Sequence, residues 1–265
     1  MYKEYKLWEN GTPGYNPEYG QAEPAVTFYP ADNGASRGCV IVCPGGGYSH
    51  LAPHEGEPIA KMLTLSGINA FVLRYRLAPY AHPCMLNDAQ RAIRLARSEA
   101  EFFNINPNKI GILGFSAGGH LAASAATLYD MGREDGDNID RTNCRPDAAV
   151  MCYAVTNVIN SYGHRGLGIR LNGGNDFDDE LGKVFSPDRC VDENTPPCFF
   201  WHTSEDSVVD VRNAYMMAVE LRKHNVKHEL HVFPDGRHGL GLNETDPHCA
   251  RWSELCREWL VGLGF

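Results

Sequence analysis

No apolar run in these 265 residues approaches the roughly 20 needed to cross a bilayer. Cationic side chains are also scarce: 24 Lys and Arg stand against 33 Asp and Glu, a net charge of −9. Such a surface repels phosphate backbones and anionic lipid, so neither nucleic acid nor membrane is expected as a partner. The first ten residues contain no apolar stretch of the signal-peptide kind, and cytoplasm is the expected compartment. No Cys-x-x-Cys pair occurs among the nine cysteines, which are spread thinly from Cys39 to Cys256. That spacing argues against a disulfide scaffold or a zinc site and reads as small buried hydrophobes in a reducing compartment. Neither a metal nor a cofactor is expected. Internal repeats and low-complexity tracts are absent, and 43% hydrophobic residues exclude wholesale disorder.

What is present is alternation. Residues 1–24 read as an extended entry segment, rich in Gly, Pro and Asn from residue 10 onward. Residues 25–265 read as one domain, with Ala25–Tyr29 as an early strand. Apolar runs follow at Cys39–Cys43, Asn69–Leu73, Ile110–Phe115, Ala148–Tyr153, Cys198–His202 and Glu229–Phe233. Runs without polar alternation suit strands buried on both faces of a parallel sheet. Between them, apolar residues recur at helical spacing, as in Met85, Ala89, Ala92, Ile93, Ala96 and again in Trp252, Leu255, Cys256, Trp259. The expectation is a doubly wound, mostly parallel α/β sheet with helices on both faces and its site at the carboxyl ends of the strands.

Gly-x-Ser-x-Gly occurs twice. Gly34-Ala-Ser36-Arg-Gly38 precedes a strand and no helix follows it, so it reads as a chance match. Gly114-Phe-Ser116-Ala-Gly118 closes an apolar run and opens a small-residue helix. A strand–turn–helix order exposes a serine hydroxyl on a strained turn at a helix N-terminus. Ser116 is therefore the candidate nucleophile. Acyl transfer also needs donors aimed at a developing oxyanion. Pro44-Gly-Gly-Gly-Tyr48 ends the Cys39–Cys43 run, so the amides of Gly46, Gly47 and Ala117 are the candidate donors. The base is expected at His238, on the loop Pro234-Asp-Gly-Arg-His-Gly, with Asp206 orienting it and Glu205 or Asp210 as alternatives. The chain order Ser, Asp, His is one this chemistry uses. His202, inside a strand-like run, reads as a core histidine, and His120, one turn beyond Ser116, as a brace.

These segments together resemble an α/β-hydrolase esterase. The chain is similar to the hormone-sensitive-lipase-like group and more closely to the bacterial acetyl-xylan and feruloyl esterase-like hydrolases. The resemblance rests on Pro44–Tyr48, Glu55-Gly-Glu-Pro-Ile-Ala60, Tyr75-Arg-Leu-Ala-Pro79, Gly114–Ala122, His202-Thr-Ser-Glu-Asp206 and Gly236-Arg-His-Gly239, and runs from about residue 25 to the end. It implies hydrolysis of short-chain esters, often acetyl groups on plant-type sugars, without a cofactor. Two departures stand out: Pro44 where the wider group often has His, and Val209-Asp210 where it often has Val-Pro.

Residues 156–197 lack strong periodicity and are expected to form short helices and a partial lid. Tyr48, Tyr153, Tyr162 and His164 are the expected rim of the substrate pocket. The function expected is a serine esterase acting on a small-molecule or oligosaccharide ester. Two other readings stay open: a formamidase or small-peptide hydrolase with the same three residues, and a non-catalytic binder on the same scaffold.

Overall fold

The computed structural model describes residues 2–31 and 38–265. The first Gly-x-Ser-x-Gly match, apart from Gly38, lies outside the described residues. Four apolar runs form strands in which every residue is buried: β3 (Cys39–Cys43), β5 (Ile110–Phe115), β6 (Ala148–Cys152) and β7 (Cys198–Thr203). With β1 (Lys3–Lys6), β2 (Ala25–Tyr29), β4 (Asn69–Arg74) and β8 (His228–Phe233) they make one eight-stranded sheet in the order β1-β2-β4-β3-β5-β6-β7-β8. Pairings from β4 through β8 are parallel, and β1 and β2 pair antiparallel at one edge.

β1 corrects the reading of residues 1–24 as entry segment alone. Lys-Glu-Tyr-Lys is polar and mostly exposed, so it carries no hydrophobic signature. It is an edge strand, and the charged side chains of Lys3, Glu4 and Lys6 blunt that edge against further pairing. Tyr5 fastens it by edge-on packing against Phe102 and Phe103.

Side chains alternate across the sheet and so feed two apolar layers. Ile41, Ile112, Met151 and Phe200 pack with α2 (Cys84–Ser98), α3 (Ala100–Phe103), α4 (Ala117–Thr127) and α7 (Arg212–Lys223). Val40, Val42, Leu113, Phe199 and Trp201 pack on the other face with α1 (Glu57–Thr64), α8 (Pro247–Ala250) and α9 (Trp252–Gly262). A parallel sheet sheathed on both faces explains why its strands lack polar alternation. No described helix is long and apolar enough to cross a membrane.

Sequence order reverses between β3 and β5, which pair directly with Cys43 opposite Gly114. In open α/β sheets ligands bind just beyond such a switch point. Here that position holds the triple-glycine loop on one side and Ser116 on the other. Residues 156–197 contain α5 (Arg165–Leu171), α6 (Asp179–Val184) and a 3-10 turn at Pro187–Arg189. Buried polar bonds fix this excursion. The Asn157 amide donates to both Asp188 oxygens at 3.0 Å, and the Thr156 and Asn157 backbone amides donate to Asn213 Oδ1.

Candidate active site

Ser116 follows β5 and caps α4 with φ 52° and ψ −116°. A non-glycine residue there carries about 1–3 kcal/mol of backbone strain, held in place by its surroundings. The surroundings are glycine-dependent. A Cβ at Gly114 would overlap the Gly118 carbonyl, and one at Gly118 would overlap the carbonyl oxygens of Cys43 and Pro44. The helix can therefore start against the glycine loop only because both positions lack side chains.

His238 reaches this turn from the loop after β8. Its Nε2 lies 2.8 Å from Ser116 Oγ, and its Nδ1 lies 2.7 Å from Asp206 Oδ2. A carboxylate can only accept, so Nδ1 carries the proton and Nε2 is free to accept from the serine hydroxyl. The structure thus brings the three sequence candidates together. Of the two alternative acids, Asp210 pairs with Arg212 at 2.6 Å and Glu205 accepts from the Gly236 amide.

Asp206 is held by more than the imidazole. Its Oδ1 accepts from the amides of Val208 and Val209, both at 2.9 Å. His202 Nε2 lies 3.2 Å from Oδ2 and 2.9 Å from the Val209 carbonyl. Both neighbours are acceptors, so Nε2 carries the proton and His202 donates to the carboxylate. Burial pushes the Asp206 carboxyl up, but the bonds from His202, His238 and the Val209 amide together hold it well below the usual range. It stays ionised beneath the imidazole. His202 is buried, as the sequence suggests, yet it also contacts the acid, a role its strand-like context conceals.

The glycine loop lies opposite. Gly46 and Gly47 have φ of 123° and 62°, conformations that favour glycine. Neither amide, nor that of Ala117, donates to a protein acceptor among the described residues. Three free donors at a helix N-terminus and an adjoining loop suit a developing anion. The Pro44 carbonyl accepts from Tyr75 Oη at 2.5 Å.

Beneath the loop sits Glu55, an acid that sequence reasoning overlooked as a site residue. It is buried. Its Oε2 accepts from the Gly45 amide at 2.8 Å and its Oε1 from the Tyr153 hydroxyl at 2.6 Å. Tyr153 Oη in turn accepts from the Gly241 amide at 2.9 Å, and its ring stands edge-on to His238 at 5.0 Å. Burial first, and the Glu55 charge second, push the Tyr153 phenol well up, which keeps it a donor. One buried acid therefore ties the glycine loop to the loop that carries the histidine.

Ser116 and His238 open into a cavity of about 500 Å³. Its lining includes Gly46, Gly47, His50, His54, Val155, His164, Leu167, Arg170 and Arg237. Of the four expected rim residues only His164 lines it. Tyr48 is a correction: φ of 59° turns it inward, where its hydroxyl bonds His120 Nδ1 at 2.8 Å. Tyr153 is a second, buried under His238 as described. Tyr162 is a third; it faces Asn160 and Arg212 instead. A larger hollow of about 720 Å³ shares His54 but contains none of Ser116, Asp206 and His238.

His120 braces the site from behind. Its Nε2 faces the Phe185 carbonyl at 2.9 Å and so carries the proton, leaving Nδ1 to accept from Tyr48. Burial lowers its pKa from 6.5 to about 4. Below pH 6.5 the unfolded chain takes up a proton that the folded chain refuses until about pH 4. Stability is therefore intact above pH 6.5 and falls as pH drops through this window, by about 3 kcal/mol for this group. Urea unfolding at about pH 7 and about pH 4.5 checks it: His120→Gln should lose less stability between the two than the native chain. Equal losses would assign the acid sensitivity elsewhere.

Residues 27–221 match the BD-FAE family. The chain belongs to that family. The endo-1,4-beta-xylanase B of Butyrivibrio fibrisolvens is 37% identical over 93% of this chain and 39% of its own length. The acetylxylan esterase of Xylanibacter ruminicola is 31% identical over 90% of this chain and 48% of its own. The chain thus spans less than half the length of these two curated relatives. A crystal structure of an acetyl ester-xyloside bifunctional hydrolase from Caldicellulosiruptor lactoaceticus is 44% identical, with a TM-score of 0.93 over 99% of this chain and 97% of that one. The fold of this BD-FAE member is accordingly the α/β-hydrolase fold, with its mostly parallel sheet wrapped by helices.

Proposed function

We propose that the chain is a serine carboxylic ester hydrolase that removes acetyl groups from xylo-oligosaccharide-type sugars. Ser116 Oγ attacks the ester carbonyl while His238 Nε2 takes its proton. Asp206 stabilises the imidazolium, and the amides of Gly46, Gly47 and Ala117 receive the oxyanion. Collapse breaks the bond to the alcohol, which leaves with the proton from His238. Water, activated by the same imidazole, then splits the acyl-enzyme into carboxylic acid and free Ser116.

The observation that carries this reading is the unbroken relay from Ser116 through His238 to Asp206, beside three amides that donate to no acceptor among the described residues. The substrate class draws on the relatives' names; the cavity joins glycine, histidine and arginine with Ala52, Val155, Leu167 and Val208, which gives a sugar ester hydrogen-bonding groups and a short acyl group an apolar wall. Residues 156–197 serve as the partial lid, with α5 forming one wall. Nine free thiols, seven of them buried, support the reducing, cytoplasmic compartment.

An organophosphonate probe tests the chemistry. It should add one adduct, located on Ser116 by peptide mass spectrometry, and abolish acetate release from acetylated xylo-oligosaccharides. A folded chain that takes no label and releases no acetate is a binder. A labelled chain that cleaves formyl-amides or aminoacyl amides in preference to acetyl sugars is an amide hydrolase.

A further inference from the structure

On this net-acidic chain the cavity mouth is cationic. Arg170, from α5, and Arg237, beside the base, both line the hollow and are exposed. Each is anchored through one nitrogen to a backbone carbonyl: Arg170 Nη1 to Gly47, and Arg237 Nη1 to His238 at 2.8 Å. Neither has a carboxylate partner among the described residues, although Arg76, Arg91, Arg94 and Arg97 all do. The one carboxylate in the lining, Glu55, is occupied on both oxygens by Gly45 and Tyr153. Each guanidinium therefore keeps Nε and Nη2 for a ligand, fixed in direction by its carbonyl anchor.

Resting on the ester-hydrolase reading, we infer that the preferred substrate is an acetylated sugar whose alcohol part carries a carboxylate, a uronic-acid-substituted xylo-oligosaccharide. Exposed groups at the mouth meet the part of the substrate that departs toward solvent, which is the alcohol. A planar guanidinium pairs with a carboxylate through two parallel N–H donors. The two guanidinium groups are exposed at the mouth while Glu55 and Asp206 are buried beneath it, so an anion arriving there meets the cationic groups first on a surface that elsewhere repels it.

The test compares acetate release from acetylated xylo-oligosaccharides of equal length, with and without one uronic acid branch. At about 0.01 M ionic strength the acidic substrate should show a kcat/KM about tenfold higher. At about 0.15 M, where the Debye length falls from about 30 to about 8 Å, the ratio should shrink to a few-fold. Arg170→Gln and Arg237→Gln should each lower the ratio, their combination should bring it to about one, and Arg237→Lys should keep part of it. The ratio is read within each variant, so a general loss of activity does not mimic the effect. Were a variant to fail to fold, the salt dependence of the native chain still decides. Equal rates on the two substrates, or a preference that survives both substitutions, overturns the inference and leaves the esterase reading standing. Failure to cleave either substrate overturns both.

Discussion

Replacing Ser116 with Ala should lower kcat for short aryl acetates by about 10⁴-fold or more, with KM and the unfolding transition nearly unchanged. Ser116 Oγ is the hydroxyl within hydrogen-bond reach of His238 Nε2, and no other side chain bonds that nitrogen among the described residues. Without it no acyl-enzyme forms. What remains is water attack assisted by the imidazole and the free amides. The substitution removes one oxygen and keeps a Cβ, so the turn's packing survives. Stopped assays with circular dichroism as a folding control measure this directly. Full activity in a folded Ser116→Ala chain would dismiss the nucleophile.

Asp206→Asn should be nearly as severe, at about 10³–10⁴-fold in kcat. An asparagine can still accept from Val208 and Val209 through its oxygen. Its amide nitrogen then meets His238 Nδ1 with a donor where an acceptor stood. The imidazole answers by carrying its proton on Nε2, the wrong side to receive one from Ser116. His202 Nε2 keeps the Val209 carbonyl but meets a second donor where the carboxylate stood, so the variant should also lose about 1–3 kcal/mol of stability. Separate measurement of kcat and of urea midpoint distinguishes the two consequences. A small drop in kcat would mean that another group orients the imidazole; Glu205 and Asp210 face Gly236 and Arg212 instead.

The parts of this molecule that were legible in advance are those whose signal is local. An unbroken Cys-Val-Ile-Val-Cys followed by three glycines, or Gly-x-Ser-x-Gly between a strand and a small-residue helix, states its geometry within a dozen residues. The acid was narrowed to three because only the tertiary path after β7 decides which carboxylate faces the imidazole. Tyr48 beside the glycine loop and Tyr153 at the end of β6 each read equally as pocket wall or as buried strut. Here positive φ at both turns them inward, toward His120 and Glu55. Glu55 stands in a segment that carries the resemblance but has no role there, and Arg170 has no local signal at all. A buried acid is recognised by its partners, which lie 10 and 98 residues away. Arg170 reaches the cavity because Asn157, Asp188 and Asn213 pin the excursion, a matter of long-range polar bonding that periodicity does not record. β1, a charged edge strand, has no apolar alternation to mark it in the sequence.

Because Glu55 grips Gly45 with one oxygen and, through Tyr153, the stretch of chain leading from His238 with the other, the proposed oxyanion donors and the proposed base share a chassis. A designer who reshapes residues 45–47 to admit a bulkier acyl group will also shift the imidazole. Gains in selectivity and losses in turnover will then arrive together. Compensating changes belong at residues 153 and 241, not at the pocket wall.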